Sequence, residues 1–353
     1  MAGFNTKCVQ AFYGTNTNGA NLPDLNLSVI YNLGSNSGHC YRRYGSNNND
    51  SLAKALNNLY NKPEETPVTF TNCGLTAYTF MCLRYPGKRR IVSYDLDDEC
   101  QQAVRNVQGE TVFWDLAKID ELKIQEGDII FAEPISNPML VPYNIKHICE
   151  VAHKYKAIVC VDNSLLSVAN YNPFDDGADI VLESGTKWLS GSGDAMLGIL
   201  IGVDIPQVLY QYHGLTPNPL DCYLVQKGIP TLPLRMKRIR ESAKPVADYI
   251  KTLTKYVSYD NRLGMITFCL GDVTFQNTFC SYLKVFFWGP VFGQSNSTIQ
   301  CSDFRKVSYL EPPFNWCLRI SVGLEDPEDL IEDIKQAYQK SLDSKKGKVL
   351  RKE

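Results

Sequence analysis

Lys187 follows two residues with hydroxyl side chains, and these come after a largely apolar run. The segment reads Ser184-Gly-Thr186-Lys187, and the residues before it are Ile-Val-Leu-Glu. Asp162 ends an earlier apolar run, Ile-Val-Cys-Val. A lysine amine can form an imine with a carbonyl group, and an aspartate can pair with a cationic ring nitrogen. Hydroxyl groups can donate hydrogen bonds to a phosphate. These residues could therefore hold an aldehyde cofactor that has a ring nitrogen and a phosphate.

Pyridoxal 5'-phosphate (PLP) has all three features, and the pattern is typical of one group of enzymes that bind it. There a lysine forms a Schiff base with the cofactor and an aspartate pairs with the pyridinium nitrogen. The sequence thus predicts Lys187 as a catalytic and cofactor-binding residue and Asp162 as its partner, with amino acids as substrates. Alone, Lys187 could be an ordinary lysine at a helix start, and Asp162 could merely cap a turn. The two are informative together.

Short apolar runs alternate with helix-like segments over most of the chain. Such alternation predicts a mainly parallel sheet that is covered by helices on both faces. The predicted strands begin at Val68, Arg90, Thr111, Asp128, Ala157, Asp179 and Gly198.

The two ends of the chain have a different character. Residues 1–50 are rich in Asn, Gly and Tyr and show little periodicity, which predicts an extended N-terminal arm. A long helical stretch begins near Leu234, and the last helix is predicted to begin at Asp326-Pro327, an N-cap followed by proline. We therefore divide the chain into an arm (1–50), a large PLP-binding domain (51–238) and a C-terminal domain (239–353).

Bulk properties exclude several classes of protein. The 353 residues have a net charge of -2, which gives no field to attract nucleic acid or a membrane surface. The twelve cysteines include no C-x-x-C pair and the four histidines have no ligand spacing, so no metal site is expected. The sequence has no signal-peptide pattern and no apolar stretch that could span a bilayer. We expect a cytoplasmic location.

Three further motifs accompany the lysine segment. They read Glu133-Pro-Ile-Ser-Asn137-Pro138, Thr231-Leu-Pro-Leu-Arg-Met236 and Arg319-Ile-Ser-Val-Gly323-Leu-Glu325. Together and in this order, they resemble the Cys/Met-metabolism family of PLP-dependent enzymes. That family includes cystathionine β- and γ-lyases, cystathionine γ-synthase and methionine γ-lyase. The resemblance extends from Tyr41 to about residue 340. It implies an α/β protein of PLP fold type I, with a mainly parallel seven-stranded sheet in a large domain and a smaller C-terminal α+β domain.

The resemblance also implies which residues bind the cofactor's phosphate. Ser184 and Thr186 would hydrogen-bond it through their hydroxyls. A second group would offer backbone N–H groups at the start of a helix, where anions are favoured. That group is Cys73, Gly74 and Leu75.

Other roles follow from the same resemblance. Asn137 would lie beside the phenolic oxygen of the cofactor, and Arg319 would bind the substrate carboxylate through its planar guanidinium. Tyr41 and Arg43 match a Tyr-x-Arg motif that reaches the phosphate of a neighbouring subunit. This implies a homo-oligomer, a dimer with shared sites that assembles into a tetramer.

The sequence also departs from the family. The family has a tyrosine that stacks on the pyridine ring, and at that place this chain has Asp97. Cys73 stands where the family has serine. A Pro-Gly-Leu…His-Pro…His stretch that the family has between Tyr256 and Met265 is missing. The cofactor anchors are kept, whereas residues on the substrate side have changed.

Together, these features predict a PLP-dependent lyase of transsulfuration. It would carry out β- or γ-elimination on a sulfur-containing amino acid and release an oxo acid, ammonia and a thiol. Two alternatives stay open: a γ-replacement synthase of the cystathionine γ-synthase or acylhomoserine sulfhydrylase type, and a PLP-binding paralogue with weak or no turnover. The particular sulfur amino acid is not predicted.

Overall fold

The computed structural model describes residues 2–13, 19–34, 38–301 and 316–349. The chain divides into two compact units. Unit 1 contains Met1–Asn137 and Val141–Pro233, and unit 2 contains Pro138–Leu140 and Leu234–Glu353. The boundary that we place at residue 238 stays a prediction.

Unit 1 contains a seven-stranded sheet with the order β1-β7-β6-β5-β4-β2-β3. β7 is antiparallel to its neighbours β1 and β6, and the other pairings are parallel. The predicted mainly parallel sheet is thus confirmed, and each predicted strand is present. The strands are β1 (Val68–Thr71), β2 (Arg90–Ser93), β3 (Thr111–Trp114), β4 (Ile129–Ala132), β5 (Ile158–Asp162), β6 (Ile180–Ser184) and β7 (Gly198–Ile201).

Helices cover both faces of this sheet, because its buried strands are apolar on both sides. In β5, Cys160 belongs to a core that includes residues of α3, whereas Val159 and Val161 belong to a core that includes residues of α5. Successive side chains of a strand point to opposite faces. The helices of unit 1 are α1 (Phe4–Gln10), α2 (Asn47–Leu59), α3 (Gly74–Arg84), α4 (Asp98–Arg105), α5 (Ile145–His153), α6 (Ser167–Asn170), α7 (Gln207–His213) and α8 (Pro219–Gly228).

The N-terminal segment differs from the extended arm that we predicted. It contains helix α1, and the Ala11 carbonyl that follows accepts a 2.7 Å hydrogen bond from the Gln226 side chain. Helix α2 also begins at Asn47, within the range that we assigned to the arm. Ser46 caps it by accepting a hydrogen bond from the Asn49 N–H, which lets an asparagine-rich run start a helix.

Unit 2 contains a five-stranded sheet with the order β10-β11-β12-β9-β8. Its core consists of apolar residues from these strands and from the unit's helices. The smaller C-terminal α+β domain is therefore confirmed. The strands are β8 (Val257–Tyr259), β9 (Met265–Phe268), β10 (Phe287–Trp288), β11 (Thr298–Gln300) and β12 (Leu318–Ser321). The helices are α9 (Leu232–Leu253), α10 (Val273–Tyr282) and α11 (Pro327–Val349).

Within the described ranges, no helix is both long and apolar enough to cross a membrane.

Candidate active site

The carboxyl ends of the parallel strands bring the predicted cofactor residues of unit 1 to one edge of the sheet. Asp162 is the last residue of β5 and Ser184 is the last residue of the neighbouring β6. The strand register pairs Asp162 with Leu182. In open α/β sheets, ligands bind at this edge. Asp162 and Ser184 therefore lie at the edge of the sheet where ligands bind in this class of fold.

Asp162 is buried and is held by two hydrogen bonds. Tyr78, on α3, donates its hydroxyl to Oδ2 at 2.7 Å, and the Ser164 backbone N–H donates to Oδ1 at 2.8 Å. Burial raises the pKa of Asp162, the Ser164 and Tyr78 hydrogen bonds oppose this shift, and the charge of Asp97 adds to it. A cationic partner would stabilise the ionised carboxylate. The environment of Asp162 is thus suited to a pyridinium nitrogen.

Lys187 is half-buried in a tight turn that leaves β6. Its backbone N–H donates to the Ser184 carbonyl at 3.1 Å, and its own carbonyl accepts from the Gly191 N–H at 3.0 Å. The neighbouring Trp188 is buried, and its indole N–H donates to the Leu165 carbonyl at 2.8 Å. Leu165 lies a few residues beyond Asp162. The turn that carries Lys187 is therefore fixed to the segment after β5.

The phosphate-binding residues predicted from the sequence also meet here. Helix α3 begins at Gly74, and the Cys73 side chain at its N-cap makes no capping hydrogen bond. A Cβ atom built on Gly74 would lie 3.5 Å from the Ser184 hydroxyl. The N–H groups at the start of α3 and the Ser184 hydroxyl therefore lie together. Both are hydrogen-bond donors, as a phosphate requires.

The packing at Gly198 explains how α3 comes so close to β6. Gly198 lies on β7 and pairs with Thr71 on one side and Ser184 on the other. A Cβ atom at Gly198 would lie 2.2 Å from the Cys73 carbonyl oxygen, which no side chain could accommodate. Only glycine lets the turn before α3 lie against the sheet at this point.

The Thr186 hydroxyl, which we predicted to contact the phosphate, also contacts the protein backbone. Its hydroxyl oxygen accepts a 3.0 Å hydrogen bond from the Leu197 N–H. A hydroxyl has one proton to donate and two lone pairs to accept, so Thr186 can fix the turn and still donate to a ligand. Its role at the phosphate stays a prediction.

Asn137 is buried, and its amide nitrogen donates to Asp97 Oδ2 at 3.4 Å. Asp97 is also the N-cap of α4, where Oδ1 accepts from the Glu99 N–H at 3.1 Å. Because Asp97 also raises the pKa of Asp162, its charge acts on the cofactor site. The residue at the place of the family's stacking tyrosine is thus a carboxylate in the site's immediate surroundings.

Tyr41 contacts Arg43 and Tyr44 and forms an isolated β-bridge with Ile30, whereas the Arg43 carbonyl contacts the segment after α7. The Arg43 guanidinium lies 5.0 Å from the centre of the Tyr41 ring. Thr216 donates to the Arg43 carbonyl at 2.9 Å, and the preceding Leu215 accepts from the Asn72 N–H at 3.3 Å. These hydrogen bonds do not connect the Tyr41 or Arg43 side chain to Lys187. Their predicted role in a neighbouring subunit is untested.

Arg319 lies in unit 2, on strand β12, and is buried there. Its guanidinium donates to the Pro290 carbonyl at 2.6 Å and lies 5.7 Å from the Phe292 ring. The resemblance implies that this arginine binds the substrate carboxylate. Its described hydrogen bond is to a backbone carbonyl, which leaves the substrate role a prediction.

Sequence reasoning missed several residues of the site. Tyr78 lies one helical turn beyond Gly74, so helix periodicity alone would have placed it beside the site. Tyr60 and Glu183 form a buried hydrogen bond across 123 positions of the chain. The only sequence signal for that bond is a charged residue, Glu183, inside an otherwise apolar strand.

These features define an α/β protein with a ligand site at the strand ends of a mainly parallel sheet. Residues 23–339 match the model of the family described as Cys/Met metabolism PLP-dependent enzyme. The chain therefore belongs to this family, and its cofactor is PLP.

The chain is similar to several known members. It is 27% identical to cystathionine gamma-lyase of Saccharomyces cerevisiae, over 96% of this chain and 98% of the yeast protein. It is 32% identical to cystathionine gamma-synthase of Haemophilus influenzae, in an alignment that spans only 59% of this chain and 60% of that protein. The crystal structure of yeast cystathionine gamma-lyase superposes with a TM-score of 0.84 at 24% identity, covering 97% of this chain and 98% of the yeast chain. At that identity the superposition shows the fold alone.

The residues present fit PLP. Asp162 is a buried carboxylate whose raised pKa a cationic ring nitrogen would lower, and the start of α3 with Ser184 forms a set of donors suited to a phosphate. Lys187 lies on the turn that follows Ser184. The chemistry of this donor set matches the three ends of the cofactor.

Proposed function

We propose that this protein catalyses β- or γ-elimination on a sulfur-containing amino acid, releasing an oxo acid, ammonia and a thiol. The observation that supports the proposal is the hydrogen bond from Trp188, in the turn that bears Lys187, to Leu165, which lies three residues beyond buried Asp162. Bound PLP supplies an electron-accepting cationic ring that stabilises negative charge on the substrate's Cα. The names of the relatives, which include lyases as well as synthases, support this class of reaction.

Each of the site residues would have a separate role in the reaction. Asp162 would keep the ring nitrogen protonated, and the Tyr78 and Ser164 hydrogen bonds would hold the carboxylate in place. Lys187 would bind the cofactor covalently and then use its freed amine to remove the Cα proton. Ser184 and the N–H groups of Gly74 and Leu75 would bind the phosphate, with Cys73 at the helix cap.

The remaining predicted residues belong to the same proposal. Asn137 would lie near the cofactor's phenolic oxygen and Thr186 near its phosphate. Arg319 would bind the substrate carboxylate. Tyr41 and Arg43 would serve a neighbouring subunit, in a dimer with shared sites that forms a tetramer.

Exposed apolar side chains support the oligomer. Leu27, Ile30 and Leu33 are 55%, 74% and 83% exposed, and a run of exposed apolar residues is typical of a surface that another chain covers. Mixing a Tyr41→Phe/Arg43→Ala variant with Lys187→Ala chains tests the shared site. Each variant alone is expected to be inactive or weak, and the mixture should recover part of the activity. No recovery would argue against shared sites.

A γ-replacement synthase is the second candidate, because one of the relatives with the highest identity is a cystathionine gamma-synthase. None of the twelve cysteines, all of which lie in the described part of the chain, forms a disulfide, which supports a reducing compartment such as the cytoplasm. Purified protein with PLP should be assayed on cystathionine, cysteine, methionine and activated homoserines. Oxo-acid release identifies a lyase, whereas thiol consumption without oxo acid identifies a synthase. Binding of PLP with neither product supports the third alternative, a paralogue without turnover, for which the Asp97 carboxylate is the structural argument.

A further inference from the structure

A second group of buried polar side chains lies next to the cofactor residues. Asn163 follows Asp162 directly, and Glu183 precedes Ser184. Neighbouring side chains of a strand point to opposite faces, so Glu183 projects away from the face that Ser184 occupies. Glu183 is 1% exposed and Asn163 is 0% exposed. Two polar side chains are thus buried behind the site.

Tyr60, the residue directly after helix α2, joins these two side chains. Its hydroxyl donates a short hydrogen bond to Glu183 Oε2 and accepts one of 3.1 Å from the Asn163 amide. The same amide donates to the Tyr171 carbonyl at 2.9 Å. Tyr60 is itself 1% exposed, and its ring makes an edge-to-face contact with Phe174 at 5.8 Å. The hydroxyl is therefore fixed in position between the two strand ends.

We propose that Tyr60 is a positioning residue for the cofactor. Its hydroxyl ties the end of β5, through Asn163, to the end of β6, through Glu183. This link sets the distance between Asp162 and Ser184, the proposed partners of the ring nitrogen and the phosphate. The inference rests on the proposed function, because it assumes that these residues hold PLP.

The alternative is that Tyr60 only attaches α2 to the sheet. Burying three polar groups costs free energy unless they are hydrogen-bonded to one another, and an apolar contact would attach the helix equally well. A hydrogen-bond network that fixes the angle and spacing of two strand ends also fixes the residues there that contact a ligand. Supporting residues of this kind fix the geometry of the residues that contact the ligand.

The test uses the full-length protein and PLP as the probe. Tyr60→Phe removes the hydroxyl and keeps the ring. We expect its Kd for PLP to rise about tenfold, at the low end of what the loss of an outer hydrogen-bond partner costs at metal sites. The pH midpoint of the bound cofactor's visible absorption should also shift, because Asp162 would no longer be held at the same distance. A role in stability alone would leave that midpoint unchanged.

Tyr171→Phe is the matched control. It removes another tyrosine hydroxyl that donates to a carboxylate, Asp176 Oδ2 at 2.7 Å, and keeps the Tyr171 backbone carbonyl that accepts from Asn163. We expect wild-type PLP affinity and an unchanged absorption midpoint in this variant. If it changes both as much as Tyr60→Phe does, the proposal is overturned.

A double variant separates positioning from stability. Tyr60→Phe removes one hydrogen-bond donor from the buried Glu183 carboxyl, so adding Glu183→Leu, which removes the carboxyl, should restore the stability to denaturant. It should not restore the Kd for PLP, because the link to Asn163 is still missing. Recovery of the wild-type Kd would overturn the proposal.

Three further outcomes remain. If Tyr60→Phe does not fold, Asn163→Ser removes the other half of the link and has the same expected tenfold loss. If the wild-type protein binds PLP and Tyr60→Phe binds it equally well, the positioning role is wrong and the proposed function stands. If the wild-type protein does not bind PLP, both are wrong.

Discussion

The Tyr78 hydroxyl donates a 2.7 Å hydrogen bond to Asp162 Oδ2, in the interior of unit 1. Both residues are nearly inaccessible to solvent, at 1% and 8% exposure. This hydrogen bond opposes the rise that burial causes in the pKa of Asp162. Helix α3 therefore carries both the proposed phosphate-binding end and the tyrosine that supports Asp162, the proposed partner of the ring nitrogen.

Tyr78→Phe should weaken the binding of PLP. A hydrogen bond to a charged group contributes about 1.5–3 kcal/mol, so the Kd measured by fluorescence titration should rise about tenfold or more. Tyr210→Phe, which removes a 2.7 Å hydrogen bond from a tyrosine hydroxyl to the Phe70 carbonyl, is the control and should retain wild-type affinity. Equal Kd values for Tyr78→Phe and the wild-type protein would contradict the assigned role of Asp162.

Asp97→Asn should extend PLP binding to lower pH. The negative charge of Asp97 raises the pKa of Asp162, and only an ionised Asp162 can pair with the ring nitrogen. Removing that charge lowers the pKa of Asp162, so the pH at which the cofactor is released should move down. Asparagine can still cap α4, which preserves the local structure. The measurement is a pH titration of the bound cofactor's absorption; an upward movement or no movement would refute this electrostatic assignment.

Gly198→Ala should damage the phosphate site. The added methyl group would lie 2.2 Å from the Cys73 carbonyl oxygen, so the turn before α3 must move away from Ser184. We expect a lower melting temperature and a higher Kd for PLP. Gly3→Ala, where a methyl group would meet nothing within 4 Å, should leave both unchanged. Wild-type PLP affinity in Gly198→Ala would show that the start of α3 does not bind the phosphate.

The stability of the cofactor-free protein should fall as the pH rises from about 4.5 to about 7. Burial raises the pKa of Glu183 from its ordinary 4.5 to about 7. A raised pKa in the folded state stabilises the fold at low pH, and this contribution is lost between the unfolded and the folded values. At 1.36 kcal/mol per pH unit, the loss is about 3 kcal/mol.

Glu183→Gln should abolish that part of the pH dependence, because glutamine does not ionise and can still accept the Tyr60 hydrogen bond. The measurement is urea unfolding at pH 5 and pH 8.5. Glu150→Gln, which changes an exposed side chain on α5, should behave as the wild-type protein does. If the free energy of unfolding of Glu183→Gln falls as steeply with pH as in the wild-type protein, Glu183 is not the responsible group.

The sequence predicted the framework of unit 1 because that framework depends on local patterns. Apolar runs such as Ile158–Asp162 are long enough to mark buried strands, and polar residues at their ends mark the edge where ligands bind. The mainly parallel order followed from the alternation of strands with helices. Asp162 and Ser184 could be placed at one edge on that basis alone.

Other features depend on contacts between distant residues and could not be predicted. Helix α1 has only seven residues, too few to be stable alone, and Cys8, Ala11 and Phe12 are buried in this region. The hydrogen bond between Tyr60 and Glu183 joins residues that are 123 positions apart. No local pattern indicates which helix end will lie behind a given strand.

The central claim is that Lys187 binds PLP, and its most direct test is the visible absorption of Lys187→Ala mixed with PLP. The wild-type protein should show a band shifted from that of free PLP. Borohydride should reduce the bond between the lysine and PLP and give a stable lysine adduct. We predict that Lys187→Ala shows neither, whereas Lys227→Ala, an exposed lysine on α8, shows both. An unchanged band and adduct in Lys187→Ala would contradict the account.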